Sequence, residues 1–508
     1  MFPNFSRKSI SSFLPFLESI ERDHYVYQGR HVGIIGAGFA GLRCAEVLIA
    51  GGAQVTILEA RDRLGGRVHQ TNFHGRMVDM GPNWIHGTST NLILKLAKKT
   101  ATALSLVEDS PCIFDSSGQL LDKEKATELL DVLWDIISDA FKYSNEKCKR
   151  ILPTESLKDF IITQARGRGL SPQDQTLLFQ TAEMWGGFIG DPLEKQSLRH
   201  FWLEECLDGE NIFVANTHAN ILNALAESAQ KYAEIVTETR VTGIENINTI
   251  DSDGFLSRVL VKASNNRTFE FDSVVVTVPL GLLKRQSPTF SPPLTPQIRR
   301  AIDRAHYSSL EKVLITFPSA FWEENTPNQE TKAGSTTFAH FPPPQIHRPK
   351  PRKLHAQPTL LFSIYGPCAA YVTSQTAKLS RESLEYFAVI NDFFQPYYSL
   401  LPNYNPDNPS CHPSTVLTTD WQNDELAGYG SYMNFQTSSQ PTERLEETIS
   451  LEDDLRALRH GMPERNIWIA GEHAAPFVAL GTLSGAYWSG ESNILIQRVS
   501  SVLSLQVK

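Results

Sequence analysis

Apolar residues fall in two rhythms along this 508-residue chain, and the switches between them mark its elements. His31-Val32-Gly33-Ile34-Ile35 and Gln54 to Leu58 are short apolar runs rich in branched side chains. Such runs predict strands buried on both faces of a sheet, and the segment between them carries the spacing of a helix. From about residue 92 to residue 230 the period is helical. Leu129, Leu130, Val132, Leu133, Ile136 and Ile137 form one stripe, and Ile221, Leu222, Leu225 and Ala226 another. Strand-like runs return at 235–244 and at 269–278, the second closing on Pro279. Another strand is predicted at 313–317. It opens a mixed region with a Pro/His/Lys-rich stretch at 341–353, predicted to be an exposed loop. A proline-rich stretch at 402–413 precedes a strand at 415–419. Ile467-Trp468-Ile469 reads as a strand running into a turn, and 485–499 as a closing helix.

The two-face strands thus occur at the start, middle and end of the chain. This order predicts two interleaved, discontinuous domains. One comprises 31–91, 231–290 and 455–508, the other 92–230 and 291–454, with 1–30 as an N-terminal extension. No internal repeat is present.

The first strand ends in Gly36-Ala37-Gly38-Phe39-Ala40-Gly41, and the second ends on an acid, Glu59. This order builds a pocket for an adenine dinucleotide. The first glycine makes the tight turn, the second lets backbone approach a pyrophosphate, and the third allows close helix–strand packing. The helix N-terminus favours the phosphates, and the acid takes the ribose hydroxyls. Glu59 implies a free 2′-hydroxyl, which fits FAD or NAD and disfavours NADP. The glycines alone do not choose between FAD and NAD.

Composition narrows the class. Hydrophobic residues make up 41% and charged residues 20%, ordinary for a globular enzyme of more than one domain. A net charge of −9 argues against a nucleic-acid partner and is compatible with a cationic substrate. The six cysteines contain no CxxC pair, so neither a disulfide scaffold nor a metal site is expected, and a reducing compartment fits. The best apolar window, 32–50, contains Arg43 and Glu46 and is explained as strand plus helix, so no membrane span is expected. The first thirty residues lack the apolar core of a cleavable signal, and the last residues are not a peroxisomal address. The expected location is cytoplasmic.

Beyond Glu59 the chain reads Ala60-Arg61-Asp62-Arg63-Leu64-Gly65-Gly66-Arg67. With the glycine loop, this string closely resembles the opening of the flavin-containing amine oxidases. The resemblance continues in order to the end of the chain. Asp79-Met80-Gly81-Pro82-Asn83-Trp84-Ile85-His86-Gly87 resembles the segment passing the flavin ring, with the histidine typical of polyamine and spermine oxidases. Thr277-Val278-Pro279-Leu280-Gly281 resembles the strand end near the cofactor, and Val241 falls where a valine backbone contacts adenine. Lys312-Val313 with Phe317 and Phe321-Trp322 resembles the flavin-lysine segment. Trp421, Asp424 and Gly430-Ser431-Tyr432 resemble a Trp-x-x-Asp…Gly-Ser-Tyr pattern. Gly471-Glu472-His473, then Gly481-Thr482 and Gly485-Ala486-Tyr487, resembles the C-terminal FAD segment.

The resemblance implies an α/β fold: a Rossmann-like FAD-binding domain interleaved with an α+β substrate domain of mixed sheet and helices. The cofactor implied is FAD. It would be held by Gly36, Ala37, Gly38, Gly41, Glu59, Ala60, Arg61, Gly66, Arg67, Gly81, Asn83, Trp84, Val241, Trp421, Gly471, Glu472, Thr482 and Leu483. Relatives with covalent flavin place a cysteine just before the cage tyrosine. Here Ser431 stands there and a hydroxyl forms no thioether, so FAD is expected to be noncovalent.

The implied reaction is oxidation of spermine, spermidine or their N-acetyl forms. Hydride passes from the carbon next to nitrogen to flavin N5, and oxygen reoxidises the flavin to give hydrogen peroxide, an aldehyde and a shorter amine. In the implied roles, Lys312 holds a water bridging to N5, and Tyr432 forms one wall of an aromatic cage whose opposite position is Thr482. His86 hydrogen-bonds or tunes the amine. Glu183 and Trp185 would line the substrate tunnel, with Glu204 and Glu205 as further acids for distal ammonium groups. Two alternatives stay open: an oxidase of another amine or an L-amino acid, and a flavin-binding protein with little turnover. An amino-acid oxidase needs an arginine clamp for the carboxylate, and none is placed in the substrate motifs. A histone-lysine demethylase carries extra chromatin-binding modules, and there is no room for a long helical insertion. Four departures from the family pattern stand out: Asn216-Thr217-His218 in place of Gly-Gly-Tyr, Ser484, Pro82, and Ser308-Ser309-Leu310-Glu311 before the lysine.

Overall fold

A computed structural model describes residues 27–106, 112–251, 254–322, 337–340, 345–348, 358–438 and 450–492. Its organising element is a five-stranded parallel sheet in the order Ile467–Ile469, Ser273–Val276, His31–Ile35, Gln54–Leu58, Glu234–Val236. The central strands are buried on both faces, which is why they lack alternation. On one face the helix Phe39–Ala50 packs against the helix Ala219–Tyr232 through Leu42, Ala45, Leu48, Leu222 and Leu225. Three stretches far apart in sequence supply the strands, as a chain that leaves and re-enters one sheet must do.

The runs at 235–244 and 269–278 are not single strands. The first divides into Glu234–Val236 in the parallel sheet and Val241–Asp251 in a four-stranded sheet with Gly254–Ala263, Thr268–Phe271 and Thr289–Ser291. A turn with Glu238 at φ 51° separates them. The second divides at Asp272, whose carboxylate accepts from the His31 N–H at 2.7 Å, leaving Thr268–Phe271 in one sheet and Ser273–Val276 in the other. An apolar run records burial, not which sheet does the burying.

The second body is a six-stranded sheet in the order Thr415–Thr418, Leu310–Thr316, Thr359–Tyr365, Gln345–Arg348, Thr337–His340, Cys112–Ile113. The stretch at 341–353, expected to be a loop, therefore contains a strand at Gln345–Arg348; the rest of it lies outside the described residues. Helices Gly366–Thr376 and Leu384–Tyr398 cover this sheet through Val372, Ile390 and Phe394 against Val313, Ile315 and Phe362. A helical lobe completes the molecule: Lys123–Lys147, Leu157–Gly167 and Pro172–Ala182. Each starts at a side-chain cap (Asp122, Ser156 in a capping box with Asp159, Ser171), which satisfies N–H groups left over at a helix start. Of the stripe predicted there, Leu129, Leu133, Ile136 and Ile137 are core, while Leu130 and Val132 pack on its edge. The region 92–230, read as mainly helical, also holds the short strands Leu104–Leu106 and Ile212–Val214. The last helix begins at 483, two residues before the predicted start, and is described to 492. Among the described residues no helix is long and apolar enough to cross a membrane.

Candidate active site

One cavity of about 390 Å3 runs from the first βα turn to the helical lobe, within the range of small-molecule pockets, roughly 300–1,000 Å3. At one end lie Gly36, Gly38, Glu59, Arg61 and Val241; at the other, Phe141, Trp185, Phe188, Glu204 and Glu205. Lys312, Tyr432 and Arg67 line the stretch between.

The first end is built for close approach. Gly36 adopts φ 106°, and a Cβ on Gly41 would come within 2.1 Å of the Gly36 carbonyl, so helix and turn touch only because Gly41 has no side chain. A Cβ on Gly38 would meet nothing within 4 Å; it would project into open space. The helix after Gly38 has no side-chain cap and no acid in its first turn, which leaves its N-terminal N–H groups and dipole for an anion. The Glu59 carboxylate accepts from the Ala37 N–H at 2.7 Å and the Arg61 N–H at 2.8 Å, and so is held at the end of its strand. Ala37 and Gly41 shape this turn without lining the cavity; Ala60, Gly66, Gly81, Trp84, Gly471 and Leu483 do line it.

In the middle, Arg67 donates to the Ser431 carbonyl at 2.6 Å and to Glu472 at 2.9 Å, tying three distant segments together. Arg61 grips Asp424 at 2.8 Å. Trp421 donates its indole N–H to the Met80 carbonyl at 3.1 Å. On either side of Met80, the carbonyls of Asp79 and Gly81 accept from the Lys312 ammonium. Strand alternation explains why Lys312 is there. Leu310 and Lys312, with Leu361 and Ser363 of the neighbouring strand, share the sheet face that walls the cavity, while Val313 and Ile315 face the core behind it. Burial pulls the Lys312 ammonium down to about 8, against the opposing pull of Asp79.

Asp79 is itself buried, accepting from Gln70 at 2.8 Å and from the His218 ring at 2.7 Å. His218, one of the departures from the family pattern, is therefore a buried support for the segment passing Lys312.

Toward the far end Tyr432 donates its hydroxyl to the Phe188 carbonyl, and burial, reinforced by Glu204, raises its phenol. Thr482 also lines the cavity, but its hydroxyl caps the closing helix, accepting from Gly485 and donating to Ala479 at 2.8 Å. Trp185 sits in an aromatic cluster, 6.0 Å from Phe141 and 5.8 Å from Phe188 between ring centroids. The His86 ring lies 3.2 Å from Asn211 Oδ1, which also accepts from the Gly87 N–H. That oxygen is an acceptor, so His86 Nδ1 donates and Nε2 is left as an acceptor. Burial lowers the imidazole, which favours its neutral form.

Glu183 does not belong to this site. It does not line the cavity; its carboxylate instead accepts from the Tyr365 hydroxyl at 3.2 Å. It caps the helix Pro172–Ala182 and opens the short turn Glu183–Trp185, where an offset of two residues sets the two side chains in different directions. The acids that line the far end of the cavity are Glu204, which ends the turn Phe201–Glu204, and Glu205 and Asp208 just after it. Burial pushes Glu204 up to about 8 and Glu205 up to about 7, in Glu205 with help from Asp208. The sequence signal for them was only a Glu-Glu pair. Phe141 and Phe188 carried none, because their role follows from how the helices cross.

The residues present fit a flavin dinucleotide. Gly38 leaves the space a pyrophosphate needs, and the buried Asn83 Oδ1, in the cavity wall, has no hydrogen-bond partner among the described residues. A buried amide oxygen without a partner is costly, and a donor on a ligand relieves it. Ser431, at the position of covalent attachment elsewhere, spends its hydroxyl on the Leu310 N–H at 2.8 Å and the Ser308 carbonyl at 3.1 Å.

Residues 39–492 match the sequence model of the flavin containing amine oxidoreductases. Polyamine oxidase 3 of Oryza sativa subsp. japonica is 27% identical over 471 residues, covering 90% of this chain and 87% of that protein. Lysine-specific histone demethylase 1 homolog 2 of Arabidopsis thaliana is 25% identical over 470 residues, 90% of this chain but 57% of that protein. Among solved structures, wild-type putrescine oxidase bound to putrescine superposes with a TM-score of 0.65 at 18% identity, covering 94% of this chain and 99% of that one. That likeness is one of fold.

Proposed function

Because this chain belongs to the flavin-containing amine oxidoreductase family and takes FAD without a covalent bond, we propose that it is a polyamine oxidase. Its substrates are spermine, spermidine or their N-acetyl forms, and its products a shorter amine, an aldehyde and, with oxygen, hydrogen peroxide. The observation that carries this reading is the wall formed by Glu204, Glu205 and Asp208 in the same cavity as Lys312 and Tyr432. Carboxyls buried among aromatic rings are costly to ionise, and a cation drawn in beside them offsets that cost. A polyamine brings several ammonium groups spaced along an apolar chain, which matches acids set among Phe141, Trp185 and Phe188.

FAD, when bound, supplies the acceptor for the hydride equivalent leaving the carbon beside nitrogen. The protein's part is to orient that carbon and keep the nitrogen uncharged. Tyr432 provides an aromatic wall for the amine. His86 Nε2 offers a neutral acceptor for its N–H, and Lys312, lowered by burial, holds a proton that moves near neutral pH. Among the described residues the cavity-lining arginines are Arg61, Arg67 and Arg240, paired with Asp424, Glu472 and Glu425, which leaves none of the three as a free clamp for an amino-acid carboxylate. We assign 31–91, 231–290 and 455–508 to the cofactor domain on the support of the parallel sheet, whose strands all come from them.

The test is anaerobic bleaching of the bound flavin by spermine, spermidine, N-acetylspermine, benzylamine and L-amino acids. Rapid bleaching by a polyamine and not by amino acids is expected. Preference for benzylamine or an amino acid would sink the polyamine reading, and no bleaching by any would leave a flavin-binding protein without turnover.

A further inference from the structure

Directly before Lys312 stands a carboxylate with no role in the reaction as described. Glu311 is fully buried (0% exposed) and, by strand alternation, lies on the side of the sheet away from the cavity. It touches neither substrate space nor cofactor space. Burying an acid in a sheet core is costly unless its oxygens are used, and here they are. One oxygen accepts from the Thr419 hydroxyl; the other accepts from the Gln422 N–H at 2.9 Å, and the Trp421 N–H also donates to the carboxylate. Three donors from four consecutive residues thus converge on one side chain.

Those four residues hold both ends of the flavin-lysine arrangement. The Thr419 hydroxyl accepts from the Lys312 N–H at 2.8 Å, and the Thr419 N–H donates to the Lys312 carbonyl at 2.9 Å. Trp421 lines the cavity and donates to Met80, whose two neighbours carry the Lys312 ammonium. The path closes on itself: Glu311 to the 419–422 turn, Trp421 to Met80, Asp79 and Gly81 to the ammonium, and Lys312 back along the strand to Glu311. We propose that Glu311 is a positioning residue of the oxidase. Its carboxylate clamps the 419–422 turn to the strand Leu310–Thr316 and so sets where the Lys312 ammonium and the Trp421 indole stand relative to the cofactor. The inference rests on the role given above to Lys312.

The test uses the FAD-loaded protein and the variants Glu311→Leu, Glu311→Gln, Thr419→Val and Lys312→Met. Three quantities are read: flavin reduction and reoxidation rates, the division of the effect between kcat and KM, and amide hydrogen exchange across 419–422. A misplaced reacting group costs rate rather than affinity, so E311L is expected to retain FAD, lose about tenfold or more in kcat with little change in KM, and exchange faster at 419–422. E311Q keeps one oxygen for the two backbone donors and should restore most of the rate; T419V should move in the same direction as E311L by a smaller amount. Unchanged exchange in E311L, or a slow E311L that E311Q does not rescue, overturns the proposal. If E311L does not fold, T419V decides: reduced kcat with FAD retained supports the clamp, and wild-type kcat overturns it. K312M separates the two readings. Unchanged half-reactions in K312M would dismiss the lysine's role, whereas failure of the clamp shows in the exchange of E311L.

Discussion

The two ends of the cavity are made in different ways. The dinucleotide end is almost entirely local: Gly36, Gly38, Gly41 and Glu59 lie within one βαβ stretch, and backbone geometry does most of the recognition. The rest is assembled from afar: the far end from the long helix (Phe141) and the short helices near 185 and 204, the centre from the six-stranded sheet (Lys312) and the segment before 433 (Tyr432). The first end rests on backbone clearance at Gly36 and Gly41 and on one fixed side chain, Glu59. The second depends on the charge and shape of side chains brought from afar. On the proposed reading, what holds the cofactor is written in one place and what chooses the substrate is distributed.

This contrast can be broken most severely at the glycines. Gly41→Ala puts a Cβ against the Gly36 carbonyl, and overpacking there should cost about 1–3 kcal/mol of stability along with FAD binding. Gly38→Leu should lose FAD, read from the flavin absorbance, while leaving the melting temperature of the apoprotein unchanged, since its Cβ enters open space. Equal destabilisation by both would erase the distinction between a packing glycine and a clearance glycine. At the centre, Lys312→Met should keep FAD and slow a flavin half-reaction by about 100-fold, the scale of a lost proton-handling group. Loss of FAD instead would make the lysine a cofactor anchor.

At the far end the changes should be smaller and selective for substrate. Glu204→Gln together with Glu205→Gln should raise KM for spermine by about 10- to 100-fold, as expected for lost charge-assisted contacts, and leave benzylamine unaffected. A parallel loss for benzylamine would move these acids from recognition to structure.

The same acids give a pH signature. The folded Glu204 carboxyl titrates near 8, above its ordinary value of 4.5. Below 4.5 it is protonated in both states and contributes nothing. As pH rises toward 8 the unfolded chain releases a proton that the folded chain keeps, so stability falls, and above 8 the fall is complete. The melting temperature should therefore drop between pH 5 and pH 8.5, less in Glu204→Gln than in the parent, and spermine should offset the drop by favouring the ionised form. Identical pH profiles for parent and variant would refute this. The smallest effect should come from Glu183→Gln, with KM unchanged, because that side chain is turned to Tyr365.

Legibility in the sequence followed the same division. The central strands of the parallel sheet, the glycine turn and its acid could be read from residues close together, because period and turn chemistry are local. Arg67, Lys312 and Tyr432 could be read only through short motifs that resemble a family. The strand boundaries at 237–240 and 272 could not be read, since an apolar run continues across a change of sheet. Glu183 and Glu204 were indistinguishable in kind: both are acids at helix ends beside aromatic residues. Which one faces the cavity depends on the angle at which its helix meets the others, and no local pattern encodes that.

By itself, then, the sequence determined a dinucleotide turn and its acid, and, through motifs that resemble a family, flavin without a thioether at Ser431. Only the tertiary structure decided which acids wall the cavity, that Thr482 spends its hydroxyl on a helix cap, and that Glu311 holds the turn carrying Trp421. The physical reason is range. Backbone turns and strand burial are fixed by neighbours in the chain, whereas buried charge takes its meaning from the donors that packing places around it.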